Sequence, residues 1–401
     1  MASLLKKLGL RTVINAAGFV TPLGSSSVRP EVVAAISEIL PEYAEMSMLQ
    51  AKASEVIARV TGAEAGCVTG CAAAGVSSAI AACMTGEDLV KIEQLPNSDG
   101  LRNEVVLQKG HEVDAGGAPI ETLIRLTGAR AVLAGRANQT GVAHLEGAIT
   151  DKTAAILHVY APDLSPGLLP LEVTIEVARR HGIPVIVDVA AEYDLRGFIA
   201  AGADIVVYSA HKFLSGATAG MVAGKSELIR ACYLQERGIG RVMKVGKEGI
   251  VGLVAALEAH ERDNHADVRQ QEQAVIDYWM ERLQGLPGIR CVAVPDSCGN
   301  PVTRVNLFVD PEVASINAFH LARKLKEGEP SIRVRDRFAH TGGYIELESC
   351  PLKDKEAESK FVCDRIISIL TEARNRKDPT LVRVGASDWK VGTLSNWPSR
   401  K

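Results

Sequence analysis

Pro184-Val185-Ile186-Val187-Asp188 and Asp204-Ile205-Val206-Val207-Tyr208-Ser209, the second running on into Ala210-His211-Lys212, decide the fold. Both runs are apolar and largely β-branched, without the alternation of a strand that has one face in water. Such runs belong to strands buried on both faces, as in a parallel sheet covered by helices. The same form recurs upstream in Gly66-Cys67-Val68-Thr69, in Glu104-Val105-Val106-Leu107-Gln108, in Ala131-Val132-Leu133-Ala134 and in Ala154-Ala155-Ile156-Leu157-His158-Val159. Residues 72–84 and 171–181 space their apolar positions as helices do, and 119–127 is amphipathic. Ala219-Gly220-Met221-Val222-Ala223-Gly224 reads as a strand that returns antiparallel. The sum is an α/β fold with a mainly parallel, seven-stranded, doubly wound sheet. Ligands of open α/β sheets sit beyond the carboxyl ends of the strands, where Thr69, Asp188 and Ser209 would emerge.

Outward from that sheet, length sets the domain count. The chain has 401 residues, more than the roughly 250–300 that one core supports. Residues 1–250 read as an N-terminal segment and the large α/β domain. Residues 251–375 read as a linking helix, over 247–286, and a smaller α+β domain. Its strands are expected at 289–294, 303–309, 332–335 and 344–347, and its helices at 314–326 and 353–372. Residues 376–401 read as a polar tail holding Trp389 and Trp397. With 45 basic and 48 acidic residues the net charge is −3, so no basic excess points to nucleic acid. Hydrophobic residues at 47% exclude a largely disordered chain. No apolar run is long enough for a signal peptide or a membrane span. The eight cysteines lack a disulfide framework or a zinc spacing, so no metal is expected and a reducing, cytoplasmic setting is.

Three features stand at strand ends. Lys212 follows a buried strand, where partial desolvation would make its amine nucleophilic toward a carbonyl; a strand-end lysine reaching solvent is the alternative. Asp188 ends a buried strand and needs a partner. A pyridinium nitrogen is one, with the small Val189-Ala190-Ala191 leaving room for a flat ring; a helix cap or an ion pair is another. Thr69-Gly70-Cys71-Ala72-Ala73-Ala74-Gly75 is a strand-to-helix turn without bulk, suited to an anion at a helix N-terminus or simply to tight helix–sheet packing. It has neither the dinucleotide fingerprint nor the lysine of a nucleotide-phosphate loop. A phosphate cradle, then an Asp, then a Lys is the order expected of a pyridoxal-phosphate site.

Further segments carry a family likeness: Thr12-Val13-Ile14-Asn15-Ala16-Ala17-Gly18, Thr61-Gly62-Ala63-Glu64-Ala65, Gly110-His111-Glu112-Val113-Asp114-Ala115-Gly116-Gly117, His181-Gly182-Ile183-Pro184-Val185, and Gly202-Ala203-Asp204 onward to Gly224. Over residues 10–370 the sequence resembles the fold-type I pyridoxal-phosphate enzymes. Within them it resembles the branch of bacterial selenocysteine synthase (L-seryl-tRNA selenium transferase) and D-glucosaminate-6-phosphate ammonia lyase. The resemblance implies pyridoxal 5'-phosphate as cofactor, attached covalently to Lys212, with Asp188 holding the ring nitrogen protonated. It implies phosphate contacts from Gly70, Cys71 and Ala72, with Ser209 and His211 nearby. His111 would lie against the ring or reach toward substrate, and Ala190 would pack on the other ring face. Arg241, Lys244 and Lys247 would reach a neighbouring subunit's site or form a solvated basic face. Asn15, Thr21 and Ser25 would line the substrate pocket or serve turn chemistry alone.

Two departures qualify the substrate. The matching motif begins at Thr12, leaving no room for the extra N-terminal domain expected of the selenium transferase, so no nucleic-acid partner is expected. Cys350, in Glu348-Ser349-Cys350-Pro351-Leu352, stands where an arginine for an anionic group is expected; Arg333, Arg335 or Arg337 would take over a carboxylate, with Arg335 the candidate. The expected function is a pyridoxal-phosphate-dependent carbon–nitrogen lyase of amino acid metabolism. It would eliminate the β-hydroxyl of a 2-amino-3-hydroxy acid or amino sugar acid to give a 2-keto acid and ammonia. A racemase, an epimerase or an aldolase would use the same apparatus; a seryl-tRNA-dependent transferase and a non-catalytic relative are further alternatives. A small-molecule substrate, no membrane partner and a homodimer or higher oligomer complete the expectation.

Overall fold

The computed structural model describes residues 4–114, 117–161 and 164–383. Among them are twelve strands: β1 (Val13–Asn15), β2 (Ala65–Thr69), β3 (Glu104–Gln108), β4 (Arg130–Ala134), β5 (Thr153–Val159), β6 (Val185–Asp188), β7 (Ile205–Ser209), β8 (Gly220–Gly224), β9 (Ile289–Pro295), β10 (Thr303–Val309), β11 (Ser331–Arg333) and β12 (Tyr344–Glu348). They fall into two compact units. One is Ser26–Arg262; the other comprises the described residues of 1–25 and 263–401.

The first unit is built on a seven-stranded sheet of order β2-β8-β7-β6-β5-β3-β4. All neighbours are parallel except β8, which runs antiparallel to both β2 and β7. β3, β5, β6, β7 and β8 are buried at every position, as their unbroken apolar runs require. The helix Ala72–Thr85 covers the sheet with small residues. A Cβ on its Gly75 would lie 2.8 Å from Val207 Cγ1, so the load of Ala and Gly there lets helix and sheet approach closely. The helix Leu171–His181 ends at Gly182, whose φ of 64° turns the chain back into β6.

The second unit holds the antiparallel sheet β12-β10-β9, packed on the helices His265–Leu283 and Glu356–Arg376. Trp279 is fully buried in this core and donates through Nε1 to Ser359 O at 3.1 Å. β1 pairs in parallel with β11, setting Asn15 opposite Arg333.

Two helices differ from the sequence expectation. The helix expected over 247–286 is two, Lys247–Arg262 and His265–Leu283, with Asn264 extended between them. Asp and Asn compete for backbone hydrogen bonds and favour caps over helix interiors, and Asp263-Asn264 marks the change of unit. The helix expected over 314–326 is Pro311–Ala314 and then Ala318–Glu327. Ser315 turns left-handed between them, and Asn317 Oδ1 caps the second by accepting from His320 N–H at 2.8 Å. The chain continues past the helix Glu356–Arg376 into the turn Pro379–Leu381. Trp389 and Trp397 lie outside the described residues, as do Ala115 and Gly116.

Candidate active site

The carboxyl ends of β3, β5, β6 and β7 are neighbours in the sheet, so the side chains that follow them converge by topology. Val159 is opposite Asp188, and Ser209 is opposite Gly220. Asp188 is 8% exposed, and its Oδ1 accepts from Ala190 N–H at 3.2 Å. Burial raises its carboxyl above the usual carboxylate range, while the charge of Lys212 and the Ala190 N–H pull it down. Lys212 charge also follows burial in lowering the His211 imidazole. Lys212 and Asp188 therefore feel one another at the sheet edge.

Lys212 is half-buried and sits in a tight turn. Ser215 N–H donates to Lys212 O at 2.9 Å and Gly216 N–H to Ala210 O at 2.9 Å. The next two side chains, Phe213 and Leu214, are buried, and Phe213 stacks on Tyr193 with centroids 4.9 Å apart. These anchors fix where the lysine leaves the backbone. Ser209 is buried, and His211 Nδ1 lies 3.2 Å from Thr218 Oγ1.

The turn after β2 is shaped by backbone. Thr69 donates its hydroxyl to Cys71 O at 2.9 Å, and Cys71 caps the helix Ala72–Thr85 by accepting from Ala74 N–H through Sγ at 3.4 Å. Neither Ala72 nor Ala73 donates its N–H to a group in the chain among the described residues, and orphan amides of a helix first turn are an anion site. A Cβ on Gly70 would lie 2.7 Å from Met243 O, and one on Gly220 would lie 2.3 Å from Cys71 O. Only glycine fits at either point. A group with a phosphate, a ring nitrogen and an aldehyde thus meets, in one unit, an amide-lined turn, a buried carboxylate and a lysine. The residues fit pyridoxal phosphate.

His111 follows β3, is 1% exposed, and accepts at Nδ1 from Val159 N–H at 3.3 Å. Burial lowers its pKa to about 4. Ala190 is half-buried directly after Asp188 and Val189. Arg241 and Lys244 are exposed, and their charges oppose the burial that raises the Glu236 carboxyl. Lys247 is committed elsewhere: its Nζ donates to Leu40 O at 2.8 Å and to Glu42 O, at the end of the helix Pro30–Ile39.

Four candidates belong to the second unit. Asn15 closes a turn on itself, accepting from Ala17 N–H and donating to Gly18 O, each at 2.9 Å. Thr21 is exposed at the start of the turn Thr21–Leu23. Ser25 has φ 65° and a buried hydroxyl that lacks a hydrogen-bond partner. Arg335 donates through Nε to Ala17 O at 2.8 Å and pairs through Nη2 with Glu348 Oε2 at 2.9 Å. The same Glu348 oxygen takes Arg304 Nε at 2.9 Å, and Arg304 Nη1 reaches Asp296 Oδ2 at 2.6 Å. This buried network was not visible in sequence, because its members are scattered over β10, β12 and the segments that follow β9 and β11. Arg337 pairs with Glu346 at 3.1 Å. Also missed were Gly220, whose signal was a glycine opening the return strand, and His158 with Thr174 beside His111.

Comparison with known proteins points the same way. Residues 13–276 match the L-seryl-tRNA selenium transferase family. The D-glucosaminate-6-phosphate ammonia lyase of Salmonella typhimurium is 39% identical over 84% of this chain and 90% of its own length. The 5'-C-glycyluridine monooxygenase-decarboxylase of a Streptomyces species is 37% identical over 88% of each chain. A solved D-glucosaminate-6-phosphate ammonia-lyase structure superposes with a TM-score of 0.82 at 37% identity, covering 93% of this chain and 100% of that one.

Proposed function

This chain belongs to the L-seryl-tRNA selenium transferase family, and from that membership we propose that it is a pyridoxal-phosphate-dependent ammonia lyase. It acts on a 2-amino-3-hydroxy acid or an amino sugar acid and releases a 2-keto acid and ammonia. The observation that carries this reading is that buried Asp188, half-buried Lys212 and the amide-lined turn all follow the carboxyl ends of strands of one sheet, β6, β7 and β2. The identity to the Salmonella lyase supports elimination as the reaction, and its name supports amino sugar acids as a substrate class.

Bound pyridoxal phosphate supplies an electron sink that makes the substrate Cα–H acidic. Lys212 would be its point of attachment, and Nζ of the same lysine would take the Cα proton. Asp188, buried and costly as a lone anion, keeps a proton on the ring nitrogen. Gly70, Cys71 and Ala72 hold the phosphate, with Ser209 and His211 at the same edge. His111 would lie against the ring or reach toward substrate, and Ala190 would pack on the other ring face. Asn15, Thr21, Ser25 and Arg335 serve the substrate; Arg335 meets a carboxylate while sharing Glu348 with Arg304.

The active form is a homodimer or higher oligomer. Large apolar side chains exposed along one stretch support this: Val33 at 51%, Leu40 at 53%, Met48 at 65% and Tyr43 fully exposed, with Val242 at 88%. Arg241 and Lys244 then serve a neighbouring subunit's site. Eight free thiols support a cytoplasmic setting. No helix among the described residues is long and apolar enough to cross a membrane.

The test is a visible absorption spectrum of the purified chain, then ammonia release across D- and L-hydroxy amino acids and amino sugar acids, with and without a 6-phosphate. Oxygen uptake and carbon dioxide release are followed in parallel, given the monooxygenase-decarboxylase relative. Ammonia without oxygen uptake upholds the lyase. Oxygen-dependent decarboxylation with no ammonia replaces it.

A further inference from the structure

Behind His111 lies a pair of side chains that the reaction above leaves unused. Val159 N–H, which can only donate, points at His111 Nδ1 from 3.3 Å. Nδ1 therefore carries a lone pair, and the ring proton sits on Nε2. The ring of His158, from β5, packs edge-on against His111, with centroids 4.5 Å apart and planes 73° from parallel. His158 Nδ1 is 3.2 Å from Thr174 Oγ1, and that hydroxyl gives its own proton to Pro170 O at 3.1 Å. Thr174 thus accepts, so His158 carries its proton on Nδ1, the opposite tautomer to His111. His158 is 4% exposed and Thr174 fully buried.

His158 is the titratable group set against His111, and Tyr160 lies beyond it with centroids 5.3 Å from His158. Burial alone lowers His111, and burial followed by the neighbouring His111 lowers His158. Each of the two abutting imidazoles has a prescribed proton position; burial keeps both uncharged, and His111 adds to this at His158.

We infer that His111 works as an uncharged hydrogen-bond donor of fixed tautomer, offering Nε2–H to an oxygen of the bound cofactor or substrate, and that His158 and Thr174 are the positioning residues that keep it so. This rests on the reading above that His111 lies at the cofactor. Its place supports that reading, since Val159 both donates to His111 and sits opposite Asp188. A neutral imidazole stabilises charge developing on an oxygen without first having to be protonated. It also cannot act as a base through Nδ1.

The test is imidazole ¹⁵N NMR on the full chain with labelled histidine. His111 is expected as the neutral Nε2–H form throughout about pH 5–8, where ordinary imidazole titrates. An Nδ1–H form or an imidazolium in that range overturns the inference. Adding pyridoxal phosphate is expected to shift His111 Nε2 if the acceptor belongs to the cofactor. A shift seen only when serine is then added places the acceptor on the substrate, and no shift with either overturns the donor role. Thr174→Val is expected to move the His111 resonances and lower kcat with little change in KM, and Thr174→Ser to restore both. A folded Thr174→Val with unchanged resonances and kcat overturns the positioning role. The tautomer is read without cofactor, so failure of this inference is distinct from failure of the lyase reading, which a missing absorption band would signal.

Discussion

At Gly70–Ala72 the chain offers backbone amides and almost no side chain; around Glu348 it offers little but side chains, four of them charged and tied into one network. The first region is held by close approach, with Met243 O and Cys71 O where a Cβ on Gly70 or Gly220 would be. The second is held by neutralisation, two arginines against Glu348 and Asp296. A cradle of amides is ready before its ligand arrives and needs no rearrangement to receive an anion. A closed ion network has no charge left open for a ligand. The contrast is between a turn left open for an anion and a network whose charges already answer one another.

The largest effect that would sharpen this contrast is expected from Lys212→Ala. Turnover should fall by at least about 10²–10⁴-fold, the usual scale for loss of a general base. The visible band should vanish while phosphate-dependent binding of the cofactor persists at the turn. Activity within a few-fold of the parent would remove Lys212 from its role.

Glu348→Gln tests the second region. Removing one member of a buried ion network is expected to cost about 3–5 kcal/mol, read by chemical denaturation. Cofactor titration should change little. Equal losses of cofactor affinity and stability would break the contrast.

Gly220→Ala tests the first. Its Cβ must push on Cys71 O, at a cost of about 1–3 kcal/mol. We expect weaker binding of pyridoxal phosphate and an unchanged affinity for pyridoxal, which lacks the phosphate. Parallel weakening of both would mean that the glycine shapes the sheet rather than the turn.

The smallest expected effect is in pH dependence. Burial raises Asp188 above its unfolded value, so the folded chain without cofactor binds this proton more tightly than the unfolded chain does. The resulting stability is fully present below the unfolded pKa, about 3.9, and is lost as pH rises through the raised folded value. Asp188→Asn should flatten that loss in denaturation curves of the cofactor-free chain. A curve that keeps its slope would assign the proton elsewhere.

The two regions also differ in how far they could be read from sequence. The strands of the large sheet announce themselves because burial on both faces leaves no polar alternation to confuse, as in Val185–Asp188 and Ile205–Ser209. Lys212, Asp188 and the Gly70 turn follow from strand ends, and topology alone brings strand ends together. The arginine network has no such guide. Arg304, Arg335 and Glu348 meet only through the register of β10 with β12 and the bridge between Arg335 and Glu346, and pairing register is not written in local pattern. The break at Asp263-Asn264 was legible in principle, since both residues prefer caps, but a continuous run of charged helix formers on either side hid it. His158 read only as part of an apolar strand; nothing in its neighbours marked the ring that it would touch.

The pairing of β1 with β11 has a consequence in the order of synthesis. Val13–Asn15 leaves the ribosome long before its partner Ser331–Arg333, which is more than three hundred positions behind. Ala16 O must wait for Glu348 N–H, and Ala17 O for Arg335. Ser26–Arg262 can close its own sheet meanwhile, because every strand in it is already present. Val13–Asn15 is thus made before the large sheet and placed after it, once Ser331–Arg333 has followed.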